Sequence, residues 1–192
     1  MRGAFLIGGF GAILAAHLAL AWIGAGALLL PLAVLGAPLA LAAAVYTAFL
    51  FAQAKARDLW QSPLLPLQMV AQTVLAGAGA SLPLALAMEP RAVEPLLWAL
   101  FVAVAAHLLL LLGEVALPHA TTHARLAAWE MTSGRYKSYF RLGVLLSTVA
   151  LAAPWIGVVS AASAAIFAFV ALGGLLAHEH AYVQAGQAVP LA

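Results

Sequence analysis

The chain has 192 residues, 66% hydrophobic and only 7% charged, with a net charge of +2 and no cysteine. At a mean hydropathy of +1.09 it has too little polar residue to cover a soluble surface of its size, so most of it belongs in a lipid bilayer. So small a charge gives no reason to expect a nucleic-acid partner, and the lack of cysteine removes disulfides, thiolate metal sites, iron–sulfur ligation and c-type haem attachment from this chain. Any redox centre must be non-covalent or sit in a partner.

A bilayer core about 30 Å thick takes roughly 20 helical residues per crossing. The apolar length therefore predicts an all-α integral membrane bundle of about six transmembrane helices, forming one domain over 1–192. Richness in Ala, Leu and Gly, without short alternating strands, argues against a membrane barrel.

The first predicted helix covers 3–24, and its apolar run from Ala4 is too long for a cleaved signal peptide. Gly24 and Gly26 mark a break, and a second helix covers 35–56. The stretch YTAFLFAQAKARDLWQSPLLP (46–66) then leaves the hydrocarbon and drops Lys55, Arg57 and Asp58. It places Trp60 at the boundary and re-enters through Pro63 and Pro66, forming a membrane hairpin. A third helix covers 63–87 and ends at MEPRAVEP; a fourth covers 95–116. The interfacial connection 117–138 holds a predicted surface helix over Thr121 to Ser133, with Leu126 and Trp129 toward lipid and Arg125 and Glu130 toward water. The fifth and sixth helices cover 139–158 and 160–182. Small residues at Thr73, Gly77 and Ser81, and at Gly11 and Ala15, have the spacing of close helix contacts.

Crossings alternate sides. One face therefore collects Arg2, Lys55, Arg57, Arg125, Arg135, Lys137 and Arg141 and leaves Arg91 opposite, seven of the eight basic residues. By the positive-inside rule both termini are expected in the cytoplasm. Trp22, Trp98 and Trp155 fall near one boundary, with Trp60, Trp129 and Tyr139 near the other, as an aromatic belt requires.

Ionisable groups in hydrocarbon cost roughly 2.5–3.5 kcal/mol each and need a reason. His107 and Glu114 stand seven residues apart, on one helix face and about 10 Å apart along the axis. They suit either a polar track or a core imidazole with a carboxylate already at the headgroups. His17 and His107 fall at different depths, a poor match for axial haem ligands. His119 and His123 have a helical metal spacing, but no third ligand is fixed beside them, so no metal site is assigned. Glu179, between His178 and His180 where the last helix is expected to meet the boundary, can hold or pass protons, or be a solvated helix end. Lys55 either snorkels or joins Gln53, Arg57 and Asp58 in an ion-pair cluster against that end. Gln68 and Gln72, one turn apart, offer a hydrogen-bonding face that either bridges helices or meets a carbonyl ligand. The proton-path candidates are thus His107, Glu114, Glu179, His178, His180 and Lys55, and no catalytic residue is assigned.

The hairpin 46–66, the connection ending ARLAAWEMTSGRYKSYF and the tail HEHAYVQAGQAVPLA resemble the second half of the NrfD/polysulfide-reductase membrane subunits. Lys55, Glu179 and Gln187 match hairpin and tail positions of the family. The resemblance implies a bacterial inner-membrane, multi-pass anchor for an iron–sulfur subunit and a molybdopterin oxidoreductase. Such an anchor exchanges electrons with the quinone pool and carries no haem of its own. It also implies polar residues considered for proton movement. Family members have an additional N-terminal bundle of about four helices that holds the quinone site. On this resemblance the chain is a fragment, a split subunit or an incomplete gene product, with the missing half or a second membrane subunit supplying the quinol pocket; no quinone ligand is assigned. The alternatives are a transporter or ion-conducting protein and a b-type cytochrome subunit.

Overall fold

Residues 2–55 and 57–189 are described in the computed structural model. The boundary predicted at Ala56 and the last three residues of the quoted tail therefore lie outside the described residues. The helices are α1 (Arg2–Trp22), α2 (Leu29–Ala52), α3 (Leu65–Met88), α4 (Val93–Ala116), α5 (Thr122–Thr132), α6 (Lys137–Ala150), α7 (Ala153–Ile156) and α8 (Ala161–Ala188). Five are long and apolar enough to cross a membrane; α6 and α7 together make a sixth, bent by 43°. The chain is an all-α, multi-pass membrane bundle.

Three boundaries differ from the sequence expectation, each for a local reason. The second helix begins six residues early, at Leu29, because LLLPLAVLGAP is helical throughout and Pro31 falls in its first turn, where a missing N–H costs nothing. Gly24 makes the preceding turn at φ +76°, a backbone conformation that favours glycine. The fifth crossing is not one continuous helix over 139–158. Pro154 lacks an N–H and its ring would clash with the carbonyl of Ala150, so α6 stops there and the chain restarts in a new direction. The last helix runs about four turns from its Ser160–Ser163 capping box to the level of Gly174, then continues to Ala188, well past the expected end at Tyr182.

That extension is held by the hairpin. The guanidinium of Arg57 donates to the carbonyls of Gly186, Gln187 and Val189 at 3.2, 2.8 and 3.1 Å, meeting acceptors a helix C-terminus leaves unpaired. The Tyr182 hydroxyl donates to the Leu59 carbonyl at 2.9 Å. Trp60 is buried among Leu59, Tyr182 and Ala185 and meets Phe51 edge to face at 5.1 Å, so it is a core residue and not part of an interfacial belt. Of the two readings of Lys55, the ion-pair cluster is not seen among the described residues: Lys55 is exposed, and the hairpin grips α8 through the Arg57 cation on carbonyls.

The interior is formed by α3, α4, α6 and α8, with α2 against α3 and α1 outermost on α2. Closest approach is between α6 and α8. A Cβ on Gly143 would lie 2.9 Å from the His178 amide nitrogen, and one on Gly174 would lie 2.9 Å from Ser147 Oγ. This is the small-residue contact expected of membrane helices; within the chain it falls here and not at Gly11 or Gly77, whose spacing suits a contact within the bundle or with another subunit. Gly11 and Gly77 meet no neighbour within 4 Å.

Candidate functional site

We call the end of the bundle that holds the α2–α3 connection, α5 and the α8 C-terminus the hairpin end. The buried polar side chains among the described residues are Gln68, Gln72, His107, Glu114, Ser147 and His178. At 1.5 Å per residue, Glu114 lies about 3 Å along its helix from that end, Gln68 about 5 Å, Gln72 about 10 Å, and His107 and His178 about 14–15 Å, with Ser147 beside Gly174 at about 21 Å along α8. Beyond them the core consists of Leu75, Ala78, Leu82, Leu97, Leu100, Val104, Phe167 and neighbouring alanines. The buried polar side chains thus fall mainly toward the hairpin end, beside a second apolar cluster around Leu59, Trp60, Leu65, Met131 and Tyr182, and the other half is apolar.

At the mouth, a cavity of about 340 Å³ opens between the hairpin and the start of α5. Glu114 is in its wall. The Ser62 hydroxyl donates to one carboxylate oxygen at 2.5 Å, and His119 Nε2 stands 3.8 Å from the other. Thr121 does two things here. Its hydroxyl donates to Asp58 at 2.5 Å and accepts from the Ala124 amide, capping α5. The cap also places His119 before the helix and His123 within it, so their four-residue spacing is not a helical pair. The surface helix itself forms as expected, with Leu126 and Trp129 exposed and Ala124, Ala127, Ala128 and Met131 turned inward.

Deeper in, the Gln72 amide donates to Glu179 at 2.6 Å, bridging α3 and α8. Glu179 is therefore not at a solvated helix end, since α8 continues nine residues, about 14 Å, beyond it. The two histidines flanking it diverge because successive helical residues turn by about 100°. His178 is 2% exposed, whereas His180 is exposed and lies against Tyr139 with centroids 4.3 Å apart. His178 meets His107, itself 1% exposed, edge to face with ring centroids at 4.8 Å. None of their four ring nitrogens has a hydrogen-bond partner.

This pair does not fit a haem. Two metal–nitrogen bonds of about 2 Å each, plus the ring radii, set axial imidazole centroids roughly 6 Å apart across a porphyrin, and rings already in edge-to-face contact leave no slot. His17 lies in the groove between α1 and α2, lined by Phe10, Ile13 and Gly36, and is not brought to His107. Among the described residues no three metal-binding side chains converge.

Of the sequence candidates, the structure brings His107 and His178 into contact, ties Glu179 to Gln72 on α3, sets Glu114 about two turns along α4 from His107, and leaves Lys55 and His180 exposed. Sequence reasoning missed Ser62, whose partner is 52 residues away, and Ser147, which looks like any small residue on an apolar helix.

A model of the family described as polysulphide reductase, NrfD, matches residues 11–191. The chain belongs to the NrfD family. No curated protein matches the chain, and no solved structure does. The match takes in every element of this NrfD-family site, from the hairpin through Glu114 to the α8 clamp.

Proposed function

We propose that this NrfD-family chain is the membrane subunit of a quinone-linked oxidoreductase complex in a bacterial inner membrane. It exchanges electrons between the quinone pool and iron–sulfur and molybdopterin subunits and supplies protons to that exchange. The observation that carries the reading is Glu114, a carboxylate buried at the end of a membrane helix, held by Ser62 and opening onto a cavity. Quinone chemistry couples each electron to a proton, and a carboxyl group within reach of water is the side chain suited to deliver one. The redox centres are expected in the partners, consistent with a chain that has no cysteine and whose buried histidine pair is too close for a porphyrin. No residue is assigned to the quinone itself.

Both termini are proposed to face the cytoplasm, on the basic side. Purifying the tagged chain in mild detergent tests the reading. An iron–sulfur protein should accompany it in fixed ratio. A Soret band belonging to this chain would replace the reading with a cytochrome, and a chain that purifies alone yet moves a solute in liposomes would replace it with a transporter.

A further inference from the structure

Buried polar atoms in a folded protein find a partner, and where no protein group supplies one the partner is water or an ion. Among the described residues the exceptions are Trp60 Nε1 and His119 Nε2 near the hairpin end and five atoms deeper in the bundle. His107 Nδ1 and Nε2, His178 Nδ1 and Nε2, and Ser147 Oγ all lack partners, and all belong to side chains at most 2% exposed. The two histidines come from α4 and α8 at one depth, about 14–15 Å in from the hairpin end, which is the middle of a hydrocarbon core about 30 Å thick; Ser147 on α6 lies beside Gly174, about one turn of α8 deeper. A dry arrangement would leave these atoms without the hydrogen bonds they make in water, and a buried polar group left so is costly.

We propose that the His107–His178 pair is a water-binding site at the closed end of a one-sided hydrated well that opens at the hairpin end through the Glu114 cavity. The order of groups along the well follows from their depth. Glu114 and Ser62 stand at the mouth beside His119. Gln68, 2% exposed, comes next on α3. Then come the Tyr182 ring, 6.1 Å from that of His178, and the Gln72–Glu179 bridge. The His107–His178 pair forms the floor, with Ser147 about one turn of α8 past it. Phe140 lies against His178 at 6.4 Å, and Leu75, Leu82, Leu97, Leu100 and Val104 seal the other half.

The occupant is water, because each ring nitrogen can donate to or accept from it and a water bridging the two rings gains the 2–4 partners it needs. A metal ion is disfavoured, since only two imidazoles meet there. Such a file carries a proton by exchange. Each O–H or N–H bond broken along it is matched by one formed at the next atom, and the net result is one proton moved from the mouth to the middle of the membrane. The well therefore loads protons from one face only and is not a through-channel. Where the proton goes next rests on the oxidoreductase reading; the position and one-sidedness of the well do not.

The test uses the cysteine-free background of the chain. Gln68→Cys and His178→Cys line the well, and Leu82→Cys and Leu100→Cys sit in the seal. Each is exposed, in sealed membrane vesicles of known orientation, to a membrane-impermeant methanethiosulfonate reagent added to one face or the other, since a thiol reacts as its thiolate and so needs water. The unaltered chain, labelled with 15N-histidine in bilayers, provides a second readout that no substitution can disturb: magnetisation transfer from water protons to the ring nitrogens of His107 and His178. We expect the two well positions to be modified from the hairpin end alone, the seal positions from neither face, and water transfer to both rings. Loss of water transfer to both rings would overturn the hydrated site. Modification of the well positions from both faces, or of the seal positions from either, would overturn its one-sidedness. Neither readout involves turnover. A dry pair leaves the oxidoreductase reading standing, and failure to find an iron–sulfur partner leaves the well standing.

Discussion

The Gln72 amide donates to Glu179 inside a membrane span, so the carboxyl group is held by one neutral partner and by no cation among the described residues. Replacing Glu179 with Gln keeps a side chain of the same shape that can still bridge to α3, while removing the exchangeable proton. Insertion and assembly should be unchanged and proton-coupled turnover of the complex should fall, on the order of 10²-fold if Glu179 transfers a proton in the slow step. Unaltered turnover and proton stoichiometry would make it a purely structural bridge. Ser62→Ala is expected to act through Glu114. The carboxylate loses its 2.5 Å donor, and stability should drop by about 1–3 kcal/mol, measured as an earlier thermal transition in detergent. Which residues belong to the site was only partly legible. His107, Glu114 and Glu179 stand out because a titratable group amid leucine and alanine needs a reason. Choosing His178 over His180 required the phase of α8 against α4, and Ser62, a serine before a proline, reads as an ordinary turn residue until its distant partner is placed beside it.

At the scale of elements, the α8 C-terminus depends on a single side chain from the hairpin. Arg57→Ala removes the one guanidinium nitrogen that donates to the last carbonyls and should cost about 1–2 kcal/mol, because the site is partly open to solvent. The loss should appear as faster proteolysis after Tyr182 with the rest of the bundle intact; unchanged protection would mean that Tyr182 and Trp60 hold the tail unaided. Gly143→Ala tests the α6–α8 seam. Its Cβ would press on the His178 amide and the Gly174 carbonyl, both backbone groups, so the helices must part at about 1–3 kcal/mol, read as a lowered melting temperature. Helix existence and type were readable from apolar length. The bend at Pro154 was visible in principle, since proline removes a donor and clashes one turn back, but a run apolar on both sides of it looks like one crossing. The length of α8 was hidden because AYVQAGQA is polar enough to look interfacial, and its burial comes from Leu59 and Trp60, remote in sequence.

The whole molecule is asymmetric along its axis: its buried polar side chains gather toward the hairpin end, beside an apolar cluster there, and the other half is apolar. Sequence reading placed the basic residues at the same end as these buried polar side chains. It could not show that asymmetry, because depth becomes comparable between helices only once they are packed. With seven of eight basic residues on that side, reporters fused at either terminus should both be found in the cytoplasm; opposite locations would break the six-crossing map. The most direct measurement of the central claim is the redox state of iron–sulfur clusters in the complex purified through this chain. It is followed by electron paramagnetic resonance when a short-chain quinone or quinol is added without oxygen. Clusters that respond in the complex, and cease to respond once this chain is removed, are the predicted result. Clusters that ignore both forms of the quinone, or that respond equally without the chain, would contradict the account.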